Sequence, residues 1–201
     1  LGILEASPDV VLVATNAMVI GSDCTAAEAP LHHDLADGPV PLEKLLAGNI
    51  IVASSVLARR EVIAAAGGFN EDPCLRAVED YDLWLRLARL GEIRYLAEPL
   101  VAYMEHGDSI RSEQSRQAYF DALGRIFAGL RAFRPDRPWT TSERDALDNA
   151  ERMAAFALMD VAWRNKDPRP FLRHPWRAAP WLLRKICTRL DTRRRVALER
   201  R

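Results

Sequence analysis

The chain has 201 residues, 49% of them hydrophobic and 28% charged, which is enough apolar material for one sizeable core and length for one domain with an appendage. Formal charge is zero overall, yet residues 173–201 carry ten Lys or Arg against only Asp191 and Glu199, so residues 1–172 hold an excess of eight acids. No apolar run approaches the roughly 18 residues that a membrane helix needs, and no signal peptide is visible. Cys24, Cys74 and Cys187 lack the number and spacing of a disulfide framework or a zinc site, so reduced thiols in a cytoplasmic protein are the expectation. Residue 1 is Leu and no start signal precedes the first periodic segment, so the N-terminus reads as a truncation.

In chain order, residues 1–6 read as the end of a helix that stops at Ser7-Pro8. The β-branched run from Asp9 to Ile20 predicts one strand, and the polar stretch from Gly21 to Pro39 predicts a loop. Pro41 to Gly48 predicts a short helix with Pro at its start and Gly at its end. Asn49 to Leu57 predicts a second strand, and Arg59 to Ala66 a short helix ended by Gly67. The next helix runs from Glu79 to Leu90 with Gly91 as its stop. Its apolar residues cover both sides, which predicts a helix packed between two layers, with its polar first turn, Arg86 and Arg89 in water. Ile93–Leu96 and Leu100–Tyr103 predict two short strands around Ala97-Glu98-Pro99. Beyond Ser109 everything reads helical, at 112–133, 141–166 and a broken stretch over 170–198. The first hundred residues are therefore α/β, and the chain divides into residues 1–110 and an α-helical extension over 111–201 with a basic tail.

The chemistry concentrates in Gly67-Gly68-Phe69 and, ten residues later, in Glu79-Asp80-Tyr81-Asp82. Three carboxylates open one helix. A carboxylate there is held rigidly and kept ionised by the helix dipole, which suits a weak general base; equally, acids in a first turn act as helix caps. Ser54 and Ser55 either line a site or bond locally within their strand. Trp84 reads by itself as core, and His32 and His33 as loop residues without a required function. The tail places Leu182, Leu183, Ile186 and Leu190 on one face among basic residues, with Trp176 and Trp181 flanking it. That pattern fits a helix on an anionic membrane surface, or one docked on its own protein with a solvated basic face. No nucleic-acid-binding module accompanies the charge.

The ordered set Gly67-Gly68-Phe69, Glu79-Asp80 and Tyr81 to Arg86 resembles the acceptor-side half of a family 2 glycosyltransferase of the GT-A type. Asn49-Ile50, Ser54-Ser55 and Arg59-Arg60 upstream resemble the strand that enters that side. Glu98-Pro99-Leu100, Tyr103 and His106-Gly107-Asp108-Ser109 resemble the closing strand and its signature, except that Met104 stands where the family has Arg. The resemblance covers residues 1–110. It implies a partial nucleotide-diphospho-sugar transferase domain without its N-terminal nucleotide-binding half, and hence no activity for this piece alone. It implies an inverting transfer to a glycan, lipid-linked or other hydroxyl acceptor in cell-envelope or polysaccharide synthesis, in the cytoplasm or at the inner face of the membrane. Asp80 becomes the implied base with Glu79 beside it, Ser54, Ser55, Gly68, Phe69 and Trp84 the implied acceptor-side lining, and His106 a residue near the diphosphate or metal. The implied Mg or Mn is held mainly by an Asp-x-Asp that lies, in the family, N-terminal to a segment like residues 1–20; Asp80-Tyr81-Asp82 has that form but stands in the base position and is not read as the metal site. The rival expectation is a non-catalytic α/β module whose basic helices, over 173–201, bind a membrane or a protein partner.

Overall fold

The computed structural model of the chain describes residues 2–20, 27–104, 113–173, 175 and 178–185. The fold is α/β, with a mixed, open, five-stranded sheet. Its elements are α1 (Gly2–Ala6), β1 (Val10–Ile20), β2 (Ala27–Pro30), β3 (Gly38–Pro39), α2 (Leu42–Ala47), β4 (Val56–Ala58), α3 (Arg60–Ala65), α4 (Glu79–Ala88), β5 (Glu92–Met104), α5 (Glu113–Ala132), α6 (Thr141–Arg164) and α7 (Arg169–Arg173). Two compact units form, one of Leu1–Ser109 with Arg125–Ala150 and one of Ile110–Gly124 with Glu151–Arg201.

The sheet is organised by β1, which runs parallel to β5 over its whole length, from Val10 beside Glu92 to Ile20 beside Met104. On its other edge β1 pairs antiparallel with β4 near its start and with β2 near its end. The two-residue β3 lies antiparallel outside β5. Val10, Val11, Leu12, Val13 and Ala14 are all buried, the unbroken apolar run of a strand covered on both faces. Helix α4 packs on β1 and β5 and also touches α2 and α3. Tyr81, Leu83, Trp84, Leu85, Leu87 and Ala88 are all buried, which is what a helix between two layers requires. Tyr81 donates its hydroxyl to the Leu45 carbonyl at 2.6 Å and meets Phe127 of α5 edge to face.

Several sequence expectations are corrected. The strand expected over Asn49–Leu57 is reduced to Val56–Ala58, preceded by a 3-10 turn at Ala53–Ser55. The Ser55 hydroxyl donates to the Val52 carbonyl at 2.8 Å, and this local bond competes with ladder pairing. The loop expected over 21–39 contributes β2 and β3 to the sheet edges. The two strands expected between residues 93 and 103 are one strand, because Ala97 and Glu98 bulge out opposite the Thr15–Asn16 step and Pro99 needs no ladder donor there. Asn16, buried at that irregularity, accepts the Ala17 and His32 amides at 2.9 and 3.2 Å and donates to the His32 carbonyl at 2.7 Å. These bonds tie β1 to the segment after β2 and give His32 a structural task, while the Ala97 amide in the bulge donates to Asp37 at 2.6 Å. Arg89, expected in water, is 1% exposed.

In the second unit, Met159, Ala178 and Trp181 form a buried cluster with Phe156 and Phe171 against it. The Trp181 indole donates to Asp160 at 2.6 Å, while Leu182 and Leu183 are exposed. The rest of the tail, including Trp176 and residues 186–201, lies outside the described residues. Among the described residues no helix is long and apolar enough to cross a membrane.

The turn from α4 into β5 has no room for a side chain. A Cβ on Gly91 would stand 2.2 Å from Val11 Cγ1 and 2.8 Å from the Asp9 carbonyl oxygen, which accepts the Glu92 amide at 2.8 Å as the β1–β5 ladder begins. Gly129 in α5 has open space around it. Gly91→Ala should therefore cost about 1–3 kcal/mol through overpacking, whereas Gly129→Ala should add about 0.5–1 kcal/mol of helix stability. Denaturant midpoints of the two variants check this, and a harmless Gly91→Ala would contradict the packing described.

Candidate functional site

Everything in the candidate site hangs from the first turn of α4 and the glycine turn in front of it. Gly67 (φ 86) and Gly68 (φ 72) both occupy the left-handed region, so the turn after α3 is built from residues without a Cβ to strain. Arg86 holds that turn to the helix. Its guanidinium donates to the Gly68 carbonyl at 2.9 Å and to the Ala66 carbonyl, and forms a two-pronged pair with Asp82 Oδ2 at 3.0 and 2.6 Å. Asp82 is buried, so this pair is well shielded from water. The expectation that the whole acidic turn and Arg86 face solvent is corrected for these two residues. The third carboxylate belongs to a clamp.

The clamp places Phe69 beside Trp84, ring centroids 6.4 Å apart at 71°. Trp84 is 3% exposed and its indole N–H has no partner among the described residues, whereas Phe69 is 52% exposed. Gly68, Phe69 and Trp84 are thus brought together. Ser54 is exposed and Ser55 is buried with its hydroxyl used locally, and no described bond joins either to the carboxylates. His106 lies outside the described residues.

Between the glycine turn and α4, Asp72 accepts the Cys74 amide at 2.9 Å and starts a 3-10 turn at Pro73–Leu75. Ala77 follows with φ 70, a left-handed conformation that a side chain disfavours. The N-cap is then Val78, which offers no side-chain bond to the helix. Asp80 supplies one from inside the first turn, accepting the Tyr81 amide at 2.6 Å.

Burial raises the Asp80 carboxyl above its ordinary value. The Tyr81 amide and the Asn49 side chain, both hydrogen-bonded to it, pull the other way, and the neighbouring Glu79 charge adds to the rise. Burial therefore outweighs the stabilising contacts on this carboxyl, and Asp80 is a stronger base than an exposed aspartate. Glu79 Oε2 is buried with no hydrogen-bond partner among the described residues. A buried acceptor without a donor costs free energy. Two adjacent carboxylates, one raised in basicity and one unsatisfied, can take a proton from, or a hydrogen bond from, a hydroxyl-bearing ligand.

Two contacts at the site involve residues whose partners the sequence does not name. Asn49, at the start of the stretch misread as a strand, reaches Asp80; nothing local to it signals this. The Asp82–Arg86 clamp was signalled by its i, i+4 spacing. Among the described residues no group of three His, Cys, Asp or Glu could hold a metal ion. With Asp82 committed to Arg86, Glu79 and Asp80 do not make a metal site by themselves. No protein-family model matches the chain, and no curated protein matches it.

Removing Arg86 would strand the buried Asp82 charge and free the glycine turn. Arg86→Met should cost about 3 kcal/mol of stability, and Asp82→Asn combined with Arg86→Met should cost less than the two single changes together, since no lone charge is left buried. Urea unfolding of the three variants and the parent completes the cycle; strict additivity would show that the pair does not hold the turn.

Proposed function

We propose that the acidic first turn of α4 is the acceptor side of a family 2, GT-A-type glycosyltransferase, which passes a sugar from a nucleotide-diphospho donor to an acceptor hydroxyl with inversion. One observation carries the reading. Asp80 sits at a rigid helix N-terminus with its basicity raised by burial, and beside it Glu79 Oε2 has no donor. The mixed α/β sheet and the order of Gly67-Gly68-Phe69 and Glu79-Asp80 along the chain support it.

In this reaction the acceptor O–H donates to Asp80. As the acceptor oxygen attacks the anomeric carbon, its proton passes to the carboxylate, the new C–O bond forms, and the bond to the diphosphate breaks with the electron pair leaving on the diphosphate oxygen. Glu79 accepts a second hydroxyl of the acceptor and so orients it. The exposed ring of Phe69, backed by Trp84, gives an apolar sugar face something to lie on. The Arg86 clamp fixes that ring relative to the base. The divalent metal of this enzyme class would neutralise the leaving diphosphate; the described residues do not supply its site.

Asp80→Asn keeps the shape and the bond from the Tyr81 amide but removes the base. In the full natural reading frame, assayed with a panel of nucleotide-diphospho sugars and hydroxyl acceptors, turnover should fall by about 10²–10⁴-fold, with donor affinity unchanged. Wild-type turnover in that variant would return Asp80 to the role of a helix cap.

A further inference from the structure

Away from the acidic turn, the first unit carries a second cluster of charge, of the opposite sign. A pocket of about 290 Å³ is walled by Arg89, Arg131, Arg134, Arg137, Arg144 and Trp139, with no carboxylate among its lining residues. Two carboxylates stand behind it. Glu143 binds Arg89 at 3.0 Å and Arg137 at 2.5 Å, and Asp148 binds Arg131 at 2.5 Å. Glu143 and Asp148 thus serve three of the five guanidiniums. Among the described residues neither Arg134 nor Arg144 pairs with a carboxylate; the side chain of Arg134 donates to the Arg131 carbonyl, and both residues are exposed.

The walls are also held in place before any ligand arrives. Arg134 and Arg137 lie on the segment Arg134-Pro135-Asp136-Arg137-Pro138, where two prolines fix the backbone. Arg89, itself 1% exposed, binds the Arg137 carbonyl at 2.5 Å and stacks 4.1 Å from the Trp139 ring centre, which ties this segment to α4. Its Nε–H has no partner among the described residues. The Arg89 and Arg137 part of the wall loses little freedom when the pocket takes up an anion. Guanidiniums present paired N–H donors that match the oxygens of a phosphoryl group two at a time.

We propose that this pocket binds a phosphoryl group carrying two negative charges, taken up chiefly by Arg134 and Arg144 with Arg131 and Arg137 in support. The site stands on the first unit alone and does not depend on the transferase reading. The phosphoryl group comes either from a small soluble phosphate or from a lipid headgroup, and the two sources separate experimentally.

The test uses the whole chain at low ionic strength, where such contacts are least screened. Pyrophosphate is titrated calorimetrically, and vesicles of phosphatidylcholine with and without a phosphate-monoester lipid are co-sedimented. Arg134→Gln/Arg144→Gln is compared with Lys44→Gln/Arg76→Gln, which removes the same charge from exposed positions elsewhere in the unit. Circular dichroism checks that both double variants fold; since Arg134 and Arg144 hold no carboxylate, melting should be unchanged. Pyrophosphate should bind saturably, and the pocket variant should bind it roughly a hundredfold more weakly, tenfold for each guanidinium removed, with the control within about twofold of wild type. Binding only to phosphate-monoester vesicles, lost in the pocket variant alone, would assign the group to a headgroup. Absence of saturable binding in both arms, or an equal loss in the control variant, would overturn the site.

Discussion

The position of the acidic turn depends on one buried ion pair at the far end of its helix. Arg89 closes α4, is 1% exposed, and meets Glu143 at 3.0 Å. Glu143 is at the same time half of a capping box at the start of α6: it accepts the Thr140 amide at 3.0 Å, and the Thr140 hydroxyl accepts the Glu143 amide at 3.1 Å. Burial alone would push the Glu143 carboxyl up, yet the Thr140 amide, Arg137 and Arg89 outweigh it and hold the carboxyl below the usual range. Burial lowers Arg89, and Arg137 adds to this while Glu143 opposes it. Losing either member of such a pair typically costs about 3–5 kcal/mol, because the other is left buried and uncompensated. One acid therefore starts α6, pins the end of α4 and fixes the arginine-lined loop between them.

With its C-terminal end fixed there, and its middle fixed by Asp82 and Arg86 to the glycine turn, α4 can carry an unfavourable first turn. Three features run against stability at the same place: left-handed Ala77, the unsatisfied Glu79 Oε2, and burial of Asp80 that raises its carboxyl. Costs of this kind gather where function needs a strained or under-satisfied group, and the surrounding structure must compensate for them.

The fold was legible where the signal is local. The valine run of β1, the Pro41 and Gly48 limits of α2, and the apolar circumference of α4 each name their element in a few residues. It was illegible where a distant or competing bond decides. Arg89 reads as a surface residue because its partner lies 54 positions away. Asn49–Leu57 reads as a strand because β-branched residues flank Ser55, whose local bond to Val52 breaks it. Pro99 reads as a break because the sequence does not show that Asp37, 60 positions away, accepts the Ala97 amide in the bulge. At the site, the order of Gly67-Gly68-Phe69 and Glu79-Asp80 was visible, and so was the i, i+4 relation of Asp82 and Arg86. What burial does to Asp80 was not, since it depends on how the Asn49 loop and the helices close around the turn.

If Asp80 is held charged against the preference of its surroundings, as the proposed base requires, the stability of the chain across pH shows it. A raised folded-state carboxyl means that the native chain binds the proton more tightly than the unfolded chain. Asp80 therefore costs stability above its folded value, and the cost disappears as pH falls through that value toward the ordinary aspartate range. Melting of wild type and Asp80→Asn should accordingly show the variant as the more stable protein at neutral pH, with the gap closing as the solution is acidified. A variant less stable than wild type at neutral pH, by the roughly 1 kcal/mol that losing a helix cap costs, would contradict the account.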